Sequence, residues 1–128
     1  MKNVISALIL STLSLLAAGP ALADMAALSA TCGGLPATPS VVKGDTADET
    51  AMRAYGTGMR QYTGSLMTYL NCLDEHPASA ADMSSAQYRR TVIAHRQQVV
   101  DQLEQSISRF NTELREFRSR QAQVAAVP

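Results

Sequence analysis

The sequence predicts an all-α protein: a long antiparallel two-helix hairpin with an extended N-terminal arm tied back by a disulfide. Three observations predict it. Met52, Tyr55, Met59, Tyr62, Leu66, Tyr69 and Leu73 follow one another at alternating steps of three and four, which lays them along one side of a helix, whereas a strand would need steps of two. A second stripe, Val99, Leu103, Ile107, Phe110, Leu114 and Phe117, keeps similar spacing in a run free of Gly and Pro until Pro128. The chain's two cysteines, Cys32 and Cys72, stand before the first stripe and near its end.

The chain begins with Lys2, a mainly apolar run from Val4 to Ala18, Gly19-Pro20, and Ala21-Leu22-Ala23. A positive start, a short apolar core and a small-x-small site are the parts of a secretory signal peptide, so residues 1–23 are expected to be removed before Asp24. A membrane anchor is the competing reading, but about 15 apolar residues fall short of the roughly 20 that a spanning helix needs. No integral membrane segment is then expected in the mature chain, and a periplasmic or secreted location follows. Removal takes Lys2 with it, leaving ten basic and eleven acidic side chains, a formal charge of −1. That balance excludes a nucleic acid or an anionic membrane held by bulk electrostatics.

Residues 24–45 read as an extended arm, because Cys32-Gly33-Gly34, Pro36, Pro39 and Gly44 punctuate it too densely for a helix. Pro36-Ala37-Thr38-Pro39 also has the spacing of a proline-rich ligand, against the plainer reading of a tether packed on its own domain. The hairpin domain is expected over 46–120. Thr46-Ala47-Asp48-Glu49 is a capping-box pattern that starts the first helix near Ala47, and Pro77 stops it at His76. Gly56, Gly58 and Gly64 inside that helix each cost about 1 kcal/mol relative to Ala, which calls for close approach of another backbone or a kink.

Ser84-Ser85-Ala86-Gln87 repeats the capping-box logic for the second helix. Tyr88, Val92 and His95 extend its stripe, while Arg89, Arg90, Asp101, Glu104, Arg115, Glu116 and Arg120 make a mixed-sign solvated face. Residues 121–128 are expected to fray. Two striped helices joined by a short polar link lie antiparallel. Their seam stays half covered unless the arm, the disulfide or a second copy helps, and a symmetric homodimer is one expected partner arrangement.

Two cysteines in an exported protein most simply form one disulfide. If Cys32 bonds Cys72, the 13 residues from Cys32 to Asp45 must span a helix of about 39 Å with a reach of about 43 Å. The arm would then run taut and antiparallel to the first helix, with Gly56, Gly58 and Gly64 as candidate points of close approach. The rival arrangement joins Cys32 to a second molecule and leaves the arm free.

Cys32, Pro36 and Pro39, Gly44 with Ala47 before Met52, Tyr69-x-x-Cys72-Leu73, and Arg109-Phe110-Asn111-x-x-Leu114 together resemble a family of small exported, periplasmic α-helical proteins of Gram-negative bacteria with one Cys–Cys pair. The resemblance spans most of the mature chain through short motifs. It implies a disulfide-tied helical hairpin and brings with it no activity and no functional residue. The chain departs from the pattern in the extra glycines of its first helix, which puts that helix's straightness in question.

No catalytic constellation emerges. The two histidines are His76, placed to cap a helix end, and His95, on the edge of a stripe where packing is the commoner role. Asp74-Glu75 and Glu113-x-x-Glu116 pair carboxylates on helix ends and solvated faces, where pKa tuning is not expected. The five methionines of the mature chain are too dispersed for copper, and two distant cysteines with scattered histidines lack metal-ligand spacing, so neither metal nor cofactor is expected. The expectation is an exported, non-enzymatic helical protein with a structural or protein-interaction role in the cell envelope. The alternative is a small periplasmic stress chaperone: Met83-Ser84-Ser85-Ala86-Gln87 loosely resembles the Leu-Thr-x-x-Gln motif of such hairpins, which bind unfolded clients on an apolar face.

Overall fold

A computed structural model describes residues 20–75 and 85–126. They form three helices, α1 (Pro20–Cys32), α2 (Glu49–Glu75) and α3 (Ala86–Ala125), with no strand among the described residues. Residues 1–19 of the expected signal peptide 1–23, the expected helix stop at His76-Pro77 and the first serine of the second capping box, Ser84, lie outside them.

The first helix is a correction to the sequence reading, which made an extended arm of everything from residue 24. Glycines and prolines begin only at Gly33, and the Ala- and Leu-rich stretch before them is good helix-forming sequence. Gly33, at φ 77°, takes the left-handed conformation that commonly ends a helix. Leu28 is wholly buried, so α1 contributes an anchor to the core shared with α2 and α3. The irregular segment therefore covers 33–48, including a turn over 44–46.

Two helix starts also shift. Asp48, not Thr46, caps α2, its carboxylate accepting from the Ala51 amide at 2.7 Å. Thr46 is drawn instead into the preceding turn, where its amide and that of Ala47 donate to the Lys43 carbonyl. Ser85 caps α3 and accepts from the Tyr88 amide at 2.9 Å. At the other end α3 runs on to Ala125 through the stretch expected to fray, since nothing in Gln121–Ala125 breaks a helix.

All seven first-stripe residues of α2 are buried, and Leu70 joins them. Against them α3 brings buried Tyr88, Val99 and Phe117, with Leu103, Phe110 and Leu114 partly buried. Three cross-contacts run in opposite order along the two helices: Tyr55 meets the edge of the Phe110 ring at 5.2 Å between centroids, Tyr62 bonds Gln102, and Tyr69 meets His95; near the same end as the last, Asp74 pairs with Arg96. Ile107 is the exception in the second stripe. It is 38% exposed, because its place in the helical turn lies to one side of the line that faces α2.

Cys32 and Cys72 are joined in a disulfide, with Cα atoms 5.7 Å apart. From there the segment passes Tyr62, where the Thr38 hydroxyl donates to the Tyr hydroxyl at 3.3 Å, and Gly58, where Pro39 packs, and reaches Glu113 at Lys43 and Gly44. Its order is thus antiparallel to α2. Of the three helical glycines, Gly58 alone meets the segment; Gly56 faces the Phe110 ring and nothing stands near Gly64.

Leu66 is fully buried and Arg90 is exposed. Replacing Leu66 by Ala should cost about 2–5 kcal/mol and replacing Arg90 by Ala less than about 0.5. Urea unfolding of the two variants checks this, and equal shifts would show that the α2 stripe is not the core. Closing a loop of 40 residues' separation with the Cys32–Cys72 bond should stabilise the fold by roughly 4 kcal/mol on the chain-entropy model. The same unfolding curve with and without a dithiol reductant measures it.

Candidate functional site

The polar group that sequence reasoning missed is Glu113. It sits on α3 between Phe110 and Phe117, on the helix side that faces the 33–48 segment, and only 5% of its surface is exposed. One carboxylate oxygen accepts from the Gly44 amide at 2.9 Å and the other from the Lys43 ammonium at 3.2 Å. The Gly44 hydrogen bond first, then the Lys43 one, hold its carboxyl below the usual carboxylate range. With both oxygens engaged and its basicity lowered, this group is suited to holding a loop and ill suited to taking a proton from a substrate. A signal was present in the sequence, since Glu113 is the one charged residue three after Phe110 and four before Phe117.

Gly44 is at this point because nothing larger fits. A Cβ there would run into the Glu113 carbonyl oxygen and meet the Phe117 amide nitrogen at 2.8 Å. Arg120, expected on the solvated face, instead reaches back to the Ala47 carbonyl and lies over the Phe117 ring, 5.6 Å from its centre. These contacts join the start of α2, the turn before it and the end of α3.

Farther along the seam Tyr62 and Tyr69 bury their rings and set their hydroxyls against polar neighbours. Tyr62 accepts from Thr38 and from Gln102 at 3.0 Å, and Gln102 also donates to Thr38 at 3.1 Å. The Tyr69 hydroxyl and His95 Nε2 are 2.8 Å apart, and burial lowers the His95 pKa and raises that of Tyr69. Burial, and then the Glu113 charge, raise that of Tyr55. His76 lies outside the described residues, so no relation between the two histidines is established. Asp74 is engaged by Arg96 at 2.9 Å. Among the described residues no cluster of three or more His, Cys, Asp or Glu is placed to hold a metal.

The helix pair has two unequal faces. One carries the 33–48 segment. On the other, a shallow groove lined by Gly56, Met59, Arg60, Thr63, Ile107 and Phe110 opens between α2 and α3. Helical spacing continues this side of α2 from Thr63 to Met67, which is 48% exposed, and this side of α3 from Ile107 back to Ile93, which is 67% exposed. Leu35, Val41 and Val124 are the other large apolar side chains exposed among the described residues. No helix among the described residues is long and apolar enough to cross a membrane. A scan against protein-family models and searches of curated proteins and solved structures return no match to this chain.

Replacing Gly44 by Ala should lower the melting temperature by forcing the Glu113 contact apart, while Gly64→Ala, in open space inside α2, should raise stability by up to about 1 kcal/mol. Opposite signs in thermal melts are the expected result. Acid should act in two windows. His95, with its folded pKa lowered, contributes stability that is complete above the ordinary histidine value near 6.5 and is lost as pH falls toward the folded value. Glu113, also lowered, contributes stability lost only through and below the ordinary carboxylate range. His95→Gln should remove the upper window alone, and Glu113→Gln the lower, in melting temperatures read from pH 8 down to about pH 3.

Proposed function

We propose that this chain is an exported, non-enzymatic helical protein of the cell envelope, one that acts by binding protein through the open face of its helix pair. In this reading it is a two-helix hairpin with an N-terminal segment tied back by the disulfide, and α1 beyond Ala23 remains part of the mature chain. The observation that carries the reading is the inequality of the two faces: one is covered and fastened at both ends, while the other leaves Met67, Ile93 and Ile107 to solvent. The polar side chains best placed for chemistry, Glu113, Tyr62, Tyr69 and His95, are each engaged in a contact between elements. The signal-peptide pattern of residues 1–23 supports export, and the use of both cysteines in one bond fits an oxidising compartment. The resemblance to exported Gram-negative helical proteins points the same way.

The same open face favours one second reading, a chaperone-like protein that holds unfolded chains. The groove at Gly56 and Phe110 gives it an apolar floor.

Intact mass of the protein exported by a Gram-negative host should correspond to a start at Asp24, and retention of residues 1–23 would remove the export reading. In the same cells a photo-reactive residue in place of Met67 should give discrete protein adducts, and one in place of Val41 on the covered side should give fewer. A smear of many adducts from Met67 favours the chaperone reading, and none at all defeats both.

A further inference from the structure

We infer that the open face docks a second copy of this chain, forming a symmetric antiparallel four-helix bundle in which Arg60 of each copy lies beside Glu104 of the other. The inference rests on the interaction reading above and names its partner. Gly56, Arg60 and Thr63 of α2 and Ile107 of α3 line the groove; helical spacing continues the first row to Met67, and the second through Glu104 and Val100 to Ile93, seven residues before Val100. Arg60 stands four after Gly56 and three before Thr63, and Glu104 stands four after Val100 and three before Ile107. They occupy equivalent places in the two rows. Both are exposed.

The register between the helices brings them together. Tyr62 bonds Gln102 across the seam. Two residues back from Tyr62 is Arg60, and two on from Gln102 is Glu104, so in antiparallel helices the two lie at the same height. Now stack two pairs face to face about a two-fold axis parallel to the helices. That operation keeps every residue at its height and sets α2 of each copy over α3 of the other, so that all neighbours in the bundle are antiparallel. Arg60 then meets Glu104 of the partner copy, and symmetry makes the contact twice. At the next level Ile107 of the partner copy comes down near Gly56, which has no side chain to obstruct it.

The size is adequate. From Ile93 to Leu114 α3 extends about 32 Å, and two helices side by side are about 20 Å wide. Roughly 600 Å² per copy, about 1,200 Å² in all, reaches the lower end of stable interfaces. An unfolded client would also cover apolar surface, but its sequence has no fixed height at which to present an acid to Arg60. A second copy does.

The experiment is sedimentation equilibrium on the disulfide-bonded exported protein. The wild type should dimerise in the micromolar range. Arg60→Glu and Glu104→Arg, each replacing two attractions by two repulsions, should each weaken the dimer about tenfold or more, and the double variant should recover to within a few-fold of wild type. Both sites are exposed, and unchanged circular dichroism and melting of a variant held as monomer will show that its fold is intact. A wild type that stays monomeric, single reversals without effect, or a double variant as weak as the singles would overturn the inference. A monomer that nevertheless binds a reduced, unfolded protein would overturn it too, while leaving the interaction reading in place.

Discussion

The structure depends on a short irregular segment being fastened at both ends. At one end the Cys32–Cys72 bond fixes the end of α1 to the last third of α2. At the other the Glu113 carboxylate grips the Gly44 amide and the Lys43 ammonium. Two helices in contact leave two grooves, one on each side of the seam, and at this size burying only the seam gives a marginal core. With its ends fixed the segment lies along one groove. The cost of ordering an extended chain is lowered in advance by Pro36 and Pro39, which restrict it in the unfolded state as well.

That arrangement explains the choice of tyrosine in the α2 stripe. Tyr55, Tyr62 and Tyr69 stand seven residues apart, each more than nine-tenths buried. A leucine at these places would fill the seam but end there. Tyrosine fills it and carries a hydroxyl to the margin of the seam, where Tyr62 meets Thr38 of the segment and Gln102 of α3 together. One side chain thereby ties three parts of the chain, and a buried ring with its hydroxyl satisfied avoids the penalty of an unpaired polar atom.

Much of this was legible in the sequence, and what was not has identifiable causes. The α2 stripe is pure periodicity, and each of its seven residues is buried. The α3 stripe departs from alternating steps: two consecutive steps of four, Val99 to Leu103 to Ile107, each carry the line about 40° round the helix and leave Ile107 to one side. Residues 24–32 were read through the glycines and prolines that follow them, and α1 with buried Leu28 was lost. Both capping boxes offered neighbouring polar residues, and the cap fell to the one nearer the helix, Asp48 and Ser85. Glu113 was set among solvated charges because spacing cannot show that a backbone amide 69 residues away will arrive beside it.

Why the α3 stripe carries a glutamate at all is a question about specificity more than strength. A buried carboxylate paired with a lysine that stays mostly exposed gains little in stability after its own desolvation, and an apolar residue at position 113 would pack at least as well. An apolar contact, however, is indifferent to sliding by a residue, and the disulfide and the Thr38 hydrogen bonds fix the segment's register well before it reaches α3 at residue 113. A carboxylate with two distinct donors admits one register: the Gly44 amide must be there to satisfy one oxygen, the Lys43 ammonium the other, and a glycine must stand where the backbone touches the helix. Shift the segment by one residue and Asp45 would bring a second negative charge to the site, or Lys43 a side chain where none fits. The pair therefore chooses among otherwise similar packings, as single polar residues do in coiled coils. With the segment fixed to one side of the seam, the opposite groove is open among the described residues where Gly56, Arg60, Thr63 and Ile107 line it.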